Sequence, residues 1–115
     1  MSEYIPHIAY DSVIFGFSGD QLKILILEYH NTDLFALPGG FVKTNEDLND
    51  AVRRGLEERT GIKNVYLDQF YTFGSVKRYQ AEVMKTILQA NGFNFEDEEY
   101  RWMLDRFITV AYYAL

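Results

Sequence analysis

The sequence predicts a mixed α/β domain of the α+β type, folded as one unit. Three observations carry that expectation. Apolar runs with strand character recur at 8–17, 21–29, 63–74 and 106–115. Helical periodicity with its own start and stop signals occupies 46–60, and a second helical period spans 77–90. The composition, 48% hydrophobic and 24% charged over 115 residues, is that of one globular domain. A chain of this length buries roughly two thirds of its unfolded surface.

The elements follow in order. In the run IAYDSVIFGF, Ile8, Val13, Phe15 and Phe17 mix alternation with a short apolar stretch, as a strand does. Ser18-Gly19-Asp20 is a turn, and QLKILILEY after it reads as a second, mostly buried strand, so the two form a hairpin. Asp33, Pro38, Gly39 and Gly40 mark a loop, with Phe41-Val42 as a short strand beyond it. Thr44-Asn45-Glu46-Asp47 combines capping residues with first-turn acids. Leu48, Ala51, Val52, Gly55 and Leu56 then recur at helical spacing until Thr60-Gly61, where glycine suits the end position. Over 77–90, Val83, Met84, Ile87 and Leu88 form one face, and Asn91-Gly92 closes that helix. Glu96-Asp97-Glu98-Glu99 opens a further short helix, its acids complementing the helix dipole. The run RFITVAYYAL is a last strand; its apolar end at Leu115 reads as a cut within a longer protein.

Composition excludes several classes of function. Cysteine is absent, which removes disulfides, thiolate metal sites and a cysteine nucleophile. A net charge of −6 does not suit a domain that holds duplex DNA by itself, because phosphate contacts need a basic face. The opening MSEYIPHIAYDS has neither the basic nor the apolar region of a signal peptide, and Ile24–Leu27 is far too short to span a membrane. A cytoplasmic protein without membrane partners is expected. Nine Tyr and nine Phe suggest a small core built from large rings. His7 and His30 stand alone and read as strand-end residues rather than bases.

The segment GFVKTNEDLNDAVRRGLEERTGI, 40–62, resembles the Nudix box. That box is Gly, five residues, Glu, seven residues, Arg-Glu-aliphatic, one residue, Glu-Glu, one residue, Gly-aliphatic. Gly40, Glu46, Arg54, Leu56, Glu58, Gly61 and Ile62 fall in register, seven of nine specified positions, after a Leu37-Pro38-Gly39 lead-in. The resemblance implies a Nudix fold over 1–115: a mixed sheet with the box helix on one face, in an α-β-α sandwich. It makes 77–105 a helical insertion and leaves the family's last helix and strand outside the chain.

Two departures bear on the chemistry. In the family, the Glu after the Arg and the second Glu of the pair are the main magnesium ligands, and here these positions are Gly55 and Arg59. The ligands stand four residues apart on one helix face, so that two carboxylates share hard cations. Gly brings no ligand, and Arg places a permanent positive charge where a dication would bind. The exchange shifts local charge by three positive units, one at Gly55 and two at Arg59. Glu58 is the surviving carboxylate; it is a thin magnesium site, and it has an alternative as an intrahelical partner of Arg54. Gly39 and Gly40 let backbone approach a ligand, the helix start offers N–H groups to an anion, and Arg59 suits a diphosphate. Gly39, Gly40, Arg59 and Glu58 are therefore the candidate ligand-binding residues. Glu46 and Arg54 are expected to hold the loop to the helix. Replacing both Gly55 and Arg59 by Glu is expected to restore magnesium binding if the backbone still presents that face.

A narrower resemblance rests on Leu37-Pro38-Gly39-Gly40-Phe41-Val42, Tyr71-Thr72-Phe73-Gly74 and the run from Ile108 to Leu115. These resemble the N-terminal domain of Nudix-related transcriptional regulators of NAD and sugar metabolism. There, a winged-helix DNA-binding domain follows, and members with a decayed box bind ADP-ribose as an effector without hydrolysing it. The implied function is binding of a nucleotide diphosphate such as ADP-ribose, with DNA engaged only through a further domain. One alternative is a magnesium-dependent hydrolase of diphosphate-linked nucleosides using Glu58 and a carboxylate from another loop. Another is a structural domain whose role is homodimer formation.

Overall fold

The computed structural model describes residues 3–29, 34–76, 81–94 and 97–114. Its centre is β1 (Tyr4–Ser18), a long strand with three partners. It runs antiparallel to β2 (Gln21–Ile24), pairing Phe15 with Ile24, and antiparallel to β5 (Gly39–Lys43), pairing Tyr10 with Gly40. It runs parallel to β7 (Ile108–Ala114), from Ile8 opposite Ile108 to Ile14 opposite Ala114. β6 (Asp68–Phe73) lies antiparallel on the other side of β7 and ends the sheet. The pairing of β1 with β5 is irregular between Tyr4 and Ala9, where His7 has φ 66, as a bulge requires.

Period-two alternation assigns each neighbour to an opposite face. Tyr10, Val42, Val110 and Tyr112 point to one face and are covered by Ala51 and Val52 of α1 (Leu48–Thr60). Ala9 and Phe41 point to the other, where Leu88 of α2 (Ala81–Ala90) and Trp102 and Met103 of a 3₁₀ helix (Glu98–Leu104) cover them. The mixed sheet between two helical layers is the sandwich expected from the sequence. The ring-rich composition is concentrated in the second layer. Phe41 meets Trp102 edge-on at 5.0 Å, Phe107 at 5.8 Å and Phe93 at 6.2 Å, geometries that rings favour.

α1 begins at Leu48, two residues after its expected start. Glu46 stays in the preceding turn because its carboxylate accepts from the Lys43 N–H at 2.8 Å and from Arg54. Gly55 does not interrupt the helix. Gly61 ends it at φ 76, with its N–H donating to the Glu57 carbonyl at 2.8 Å, a glycine-specific cap.

The expected buried strand at 21–29 is instead two short strands. β2 is exposed throughout, and β3 (Leu27–Tyr29) pairs away from the main sheet with β4 (Leu34–Ala36). The Leu25 N–H still donates to the Ile14 carbonyl, after which the chain leaves the sheet edge; no described helix covers β2, so its apolar residues stay exposed. β6 starts at Asp68 rather than near 63, because Asn64 at φ 59 breaks the extended backbone. Its residues are exposed, so the apolar run there is not a core signal. In α2, Leu88 is buried and Met84 and Ile87 are half-buried, but Val83 faces outward. The short helix expected after the acidic run is a 3₁₀ helix from Glu98, capped by Asp97, which accepts from the Glu99 N–H at 3.1 Å. His30, Asp33, Glu96 and Leu115, together with 77–80, lie outside the described residues. His7 lies within β1, its Nδ1 3.0 Å from the Arg106 carbonyl and its ring against Trp102.

Candidate functional site: a latch and a cavity on one helix

Two clusters form along α1. The first surrounds Arg54. Its Nε donates to Glu46 Oε2 at 3.0 Å, and Nη2 donates to Glu46 Oε1 at 2.7 Å and to the Phe41 carbonyl at 3.0 Å. Nη1 donates to Glu58 Oε2 at 3.2 Å. One guanidinium thus ties the helix to β5 and to the turn that leads into it. The hydrogen bonds from Arg54 hold the Glu46 carboxyl below its ordinary value, and those to Glu46 raise Arg54. Glu58, expected near a ligand, lies in this cluster on the exposed side of the helix. Leu56 is buried beneath α1, and the Ile62 N–H donates to Thr60 Oγ1 at 3.1 Å just after the cap.

The second cluster borders a cavity of about 250 Å³. Gly39 and Gly40 of β5 and Arg59 of α1, three of the four candidate ligand-binding residues, line it together. Glu58 is not in its wall. Nor is the start of α1, which was expected to offer N–H groups to an anion: the cavity lies at the opposite end of the helix, at Arg59 in the last turn. Met84, Ile87 and Leu88 of α2 supply an apolar wall, with Phe107 beside them. Arg59 Nη1 donates to Asn91 Oδ1 at 2.8 Å, just past the end of α2. Among the described residues no carboxylate comes within ion-pairing distance of Arg59.

Tyr10, Asp11, Asn91 and Thr109 also line the cavity and were not singled out from the sequence. Tyr10 left an indirect trace there, in two glycines. A Cβ on Gly55 would overlap the Tyr10 hydroxyl and stand 2.8 Å from its Cζ; a Cβ on Gly40 would stand 2.6 Å from the hydroxyl. A glycine inside a helix costs about 1 kcal/mol against alanine and commonly marks such a close approach. Burial pushes the Tyr10 phenol up to about 12, so it remains protonated at neutral pH and able to donate. Asn91 left no comparable trace, being 32 positions from Arg59.

These residues do not fit the magnesium of the Nudix box. Where one carboxylate ligand would project from α1, the Tyr10 hydroxyl already fills the space. Where the second would project, Arg59 brings a cation. Glu58 is paired with Arg54, and Glu57 lies 3.5 Å from Lys63 Nζ. The expectation that Glu at positions 55 and 59 would restore the metal site therefore meets a steric obstacle: α1 does present that face, but Tyr10 occupies it.

The fold, the box register and the cavity define a Nudix-type domain. The NUDIX domain family matches residues 6–104, and the chain belongs to that family. It is similar to the ADPR responsive transcriptional repressor NtrR of Acinetobacter baylyi, 35% identical over an alignment 96 residues long that covers 79% of this chain and 38% of the repressor. It therefore spans well under half the length of that relative. The Nudix domain of Shewanella oneidensis NrtR, solved in complex with ADP ribose, superposes with a TM-score of 0.65 at 28% identity. The match covers 96% of this chain and 60% of that one. Shewanella oneidensis NrtR solved with a 27mer DNA gives a TM-score of 0.63 at 29% identity, covering 94% of this chain and 41% of that one. No described helix is long and apolar enough to cross a membrane.

Proposed function

We propose that this chain is the ligand-sensing Nudix domain of a transcriptional regulator, and that it binds ADP-ribose or a closely related nucleotide diphosphate without hydrolysing it. One observation carries the reading: a guanidinium with no carboxylate partner among the described residues stands at the rim of a partly apolar cavity, where the family's metal ligand would be. Arg59 supplies the positive charge that a dication otherwise brings to a diphosphate. Gly39 and Gly40 place β5 backbone in the cavity wall, and their missing side chains leave room for the Asp11 carboxylate and the Tyr10 hydroxyl. The α2 wall suits an apolar base face, and the neutral Tyr10 phenol can donate a hydrogen bond. On this reading the segment 77–105 is an insertion, and α2, its described α-helix, builds that wall.

The similarity to longer regulators supports a place within a longer chain, with DNA contacted by parts beyond these 115 residues; a cytoplasmic location and a homodimer are part of the same proposal. The test is calorimetric titration of the 115-residue chain with ADP-ribose, with and without magnesium, alongside an assay for AMP and ribose phosphate. Binding that does not require magnesium, without turnover, is expected. Magnesium-dependent turnover at an ordinary enzymatic rate overturns the reading in favour of a hydrolase. Absence of nucleotide binding leaves the structural, dimerising role.

A further inference from the structure

At the cavity, the Arg59 guanidinium is hydrogen-bonded to a residue of a different element. Its Nη1 donates to Asn91 Oδ1 at 2.8 Å, and the same amide is fixed from behind, because Asn91 Nδ2 donates to the Ile87 carbonyl at 2.8 Å. That second bond orients the amide, since its donor side faces the end of α2 and its acceptor side is left for Arg59. Both residues border the cavity. The partner's chemistry matters as much as its position. A carboxylate in its place would hold the arginine equally well but neutralise it, as Glu46 does for Arg54 at 2.7 Å. An amide fixes direction and leaves the net charge available.

We propose that Asn91 is the positioning residue of this site: it holds Arg59 at the cavity, out of ion-pairing distance of any described carboxylate although Asp11 lines the same wall, so that the guanidinium can meet the phosphate groups of a nucleotide diphosphate. The inference rests on the functional reading above and adds to it a residue on a different element. It also ties ligand binding to α2, because the guanidinium that meets the phosphates is hydrogen-bonded to the residue after that helix.

The test measures affinity for ADP-ribose and, separately, for inorganic pyrophosphate, by calorimetry on the 115-residue chain and its variants, with melting temperatures recorded in parallel. Asn91→Ala is expected to weaken both ligands about threefold or more in the native background, and to change nothing further when Arg59 is already Ala, because a positioning residue acts through its partner. Asn91→Asp is expected to weaken them more than Asn91→Ala, since the new carboxylate cancels the charge of Arg59, whatever happens to the melting temperature. The inference is overturned if Asn91→Asp binds as tightly as the native chain. It is also overturned if Asn91→Ala loses as much affinity without Arg59 as with it, or if affinity merely tracks the melting temperature across the series. Native binding of pyrophosphate without ADP-ribose would sink the nucleotide reading while leaving Asn91 testable, and native binding of neither overturns both.

Discussion

Arg54 and Arg59 stand on the same helix, yet their surroundings differ in kind. Arg54 is ringed by the Glu46 and Glu58 carboxylates and a backbone carbonyl, and its charge is consumed in holding β5, the turn and α1 together. Arg59 has a neutral amide beside it and a cavity in front of it. A compensated arginine is a structural cross-link, whereas an uncompensated one held in place is a binding group. Only the environment separates the two, because the side chains are identical.

The strongest way to break this comparison is at the latch. Arg54→Ala leaves the mostly buried Glu46 carboxylate without its main partner and the Phe41 carbonyl without a donor, and is expected to destabilise the fold by about 3 kcal/mol, measured by urea denaturation. A loss below about 1 kcal/mol would show that the cross-link is not what holds β5 to α1. The same pair sets an acid limit. The Glu46 value is lowered in the folded state, so its contribution is fully present above the ordinary carboxyl value of 4.5 and is lost as pH falls through the lowered one. Native Tm should therefore decline more steeply below about pH 4.5 than that of Glu46→Gln, which lacks the titrating group.

Between the two arginines lies Gly55. In an ordinary exposed helix, Gly→Ala gains about 1 kcal/mol. Here the added methyl meets the Tyr10 ring, and Gly55→Ala is expected instead to lose about 2 kcal/mol by overpacking. A gain in Tm would mean that Tyr10 moves aside easily and that the metal-ligand position is open after all.

At the cavity end, Arg59→Ala should leave the melting temperature nearly unchanged but weaken ADP-ribose about tenfold, equivalent to about 1.4 kcal/mol, in calorimetric titration. Unchanged affinity would make the two arginines alike in having no ligand. The smallest effect is expected at Glu58, whose exposed pairing with Arg54 contributes little: Glu58→Gln should alter stability by less than about 0.5 kcal/mol and leave ADP-ribose affinity intact. A large loss of affinity there would return Glu58 to the binding site.

Much of the local structure was legible in the sequence. The Gly61 cap, the register of the box, the amphipathic face of α1 and the turn after β1 are written in runs of a few residues, because capping, periodicity and turn preferences depend on near neighbours. The strands at 21–29 and 63–74 were less legible, since an apolar run shows a tendency to extend but not whether anything packs over it. β2 and β6 sit at the margins of the sheet and stay exposed.

The candidate site divides along the same line. By itself, the sequence determined that a Nudix-type scaffold is present, that its two main metal-ligand positions hold Gly55 and Arg59, and that the remaining box residues stand in register. Tertiary structure decided what those substitutions mean. It set the Tyr10 ring against Gly55 from 45 positions away and brought Asn91 across 32 positions to hold Arg59. Such contacts join residues that share no local pattern. They arise only when α1 and α2 pack on opposite faces of the sheet built around β1, so that side chains distant in the chain meet.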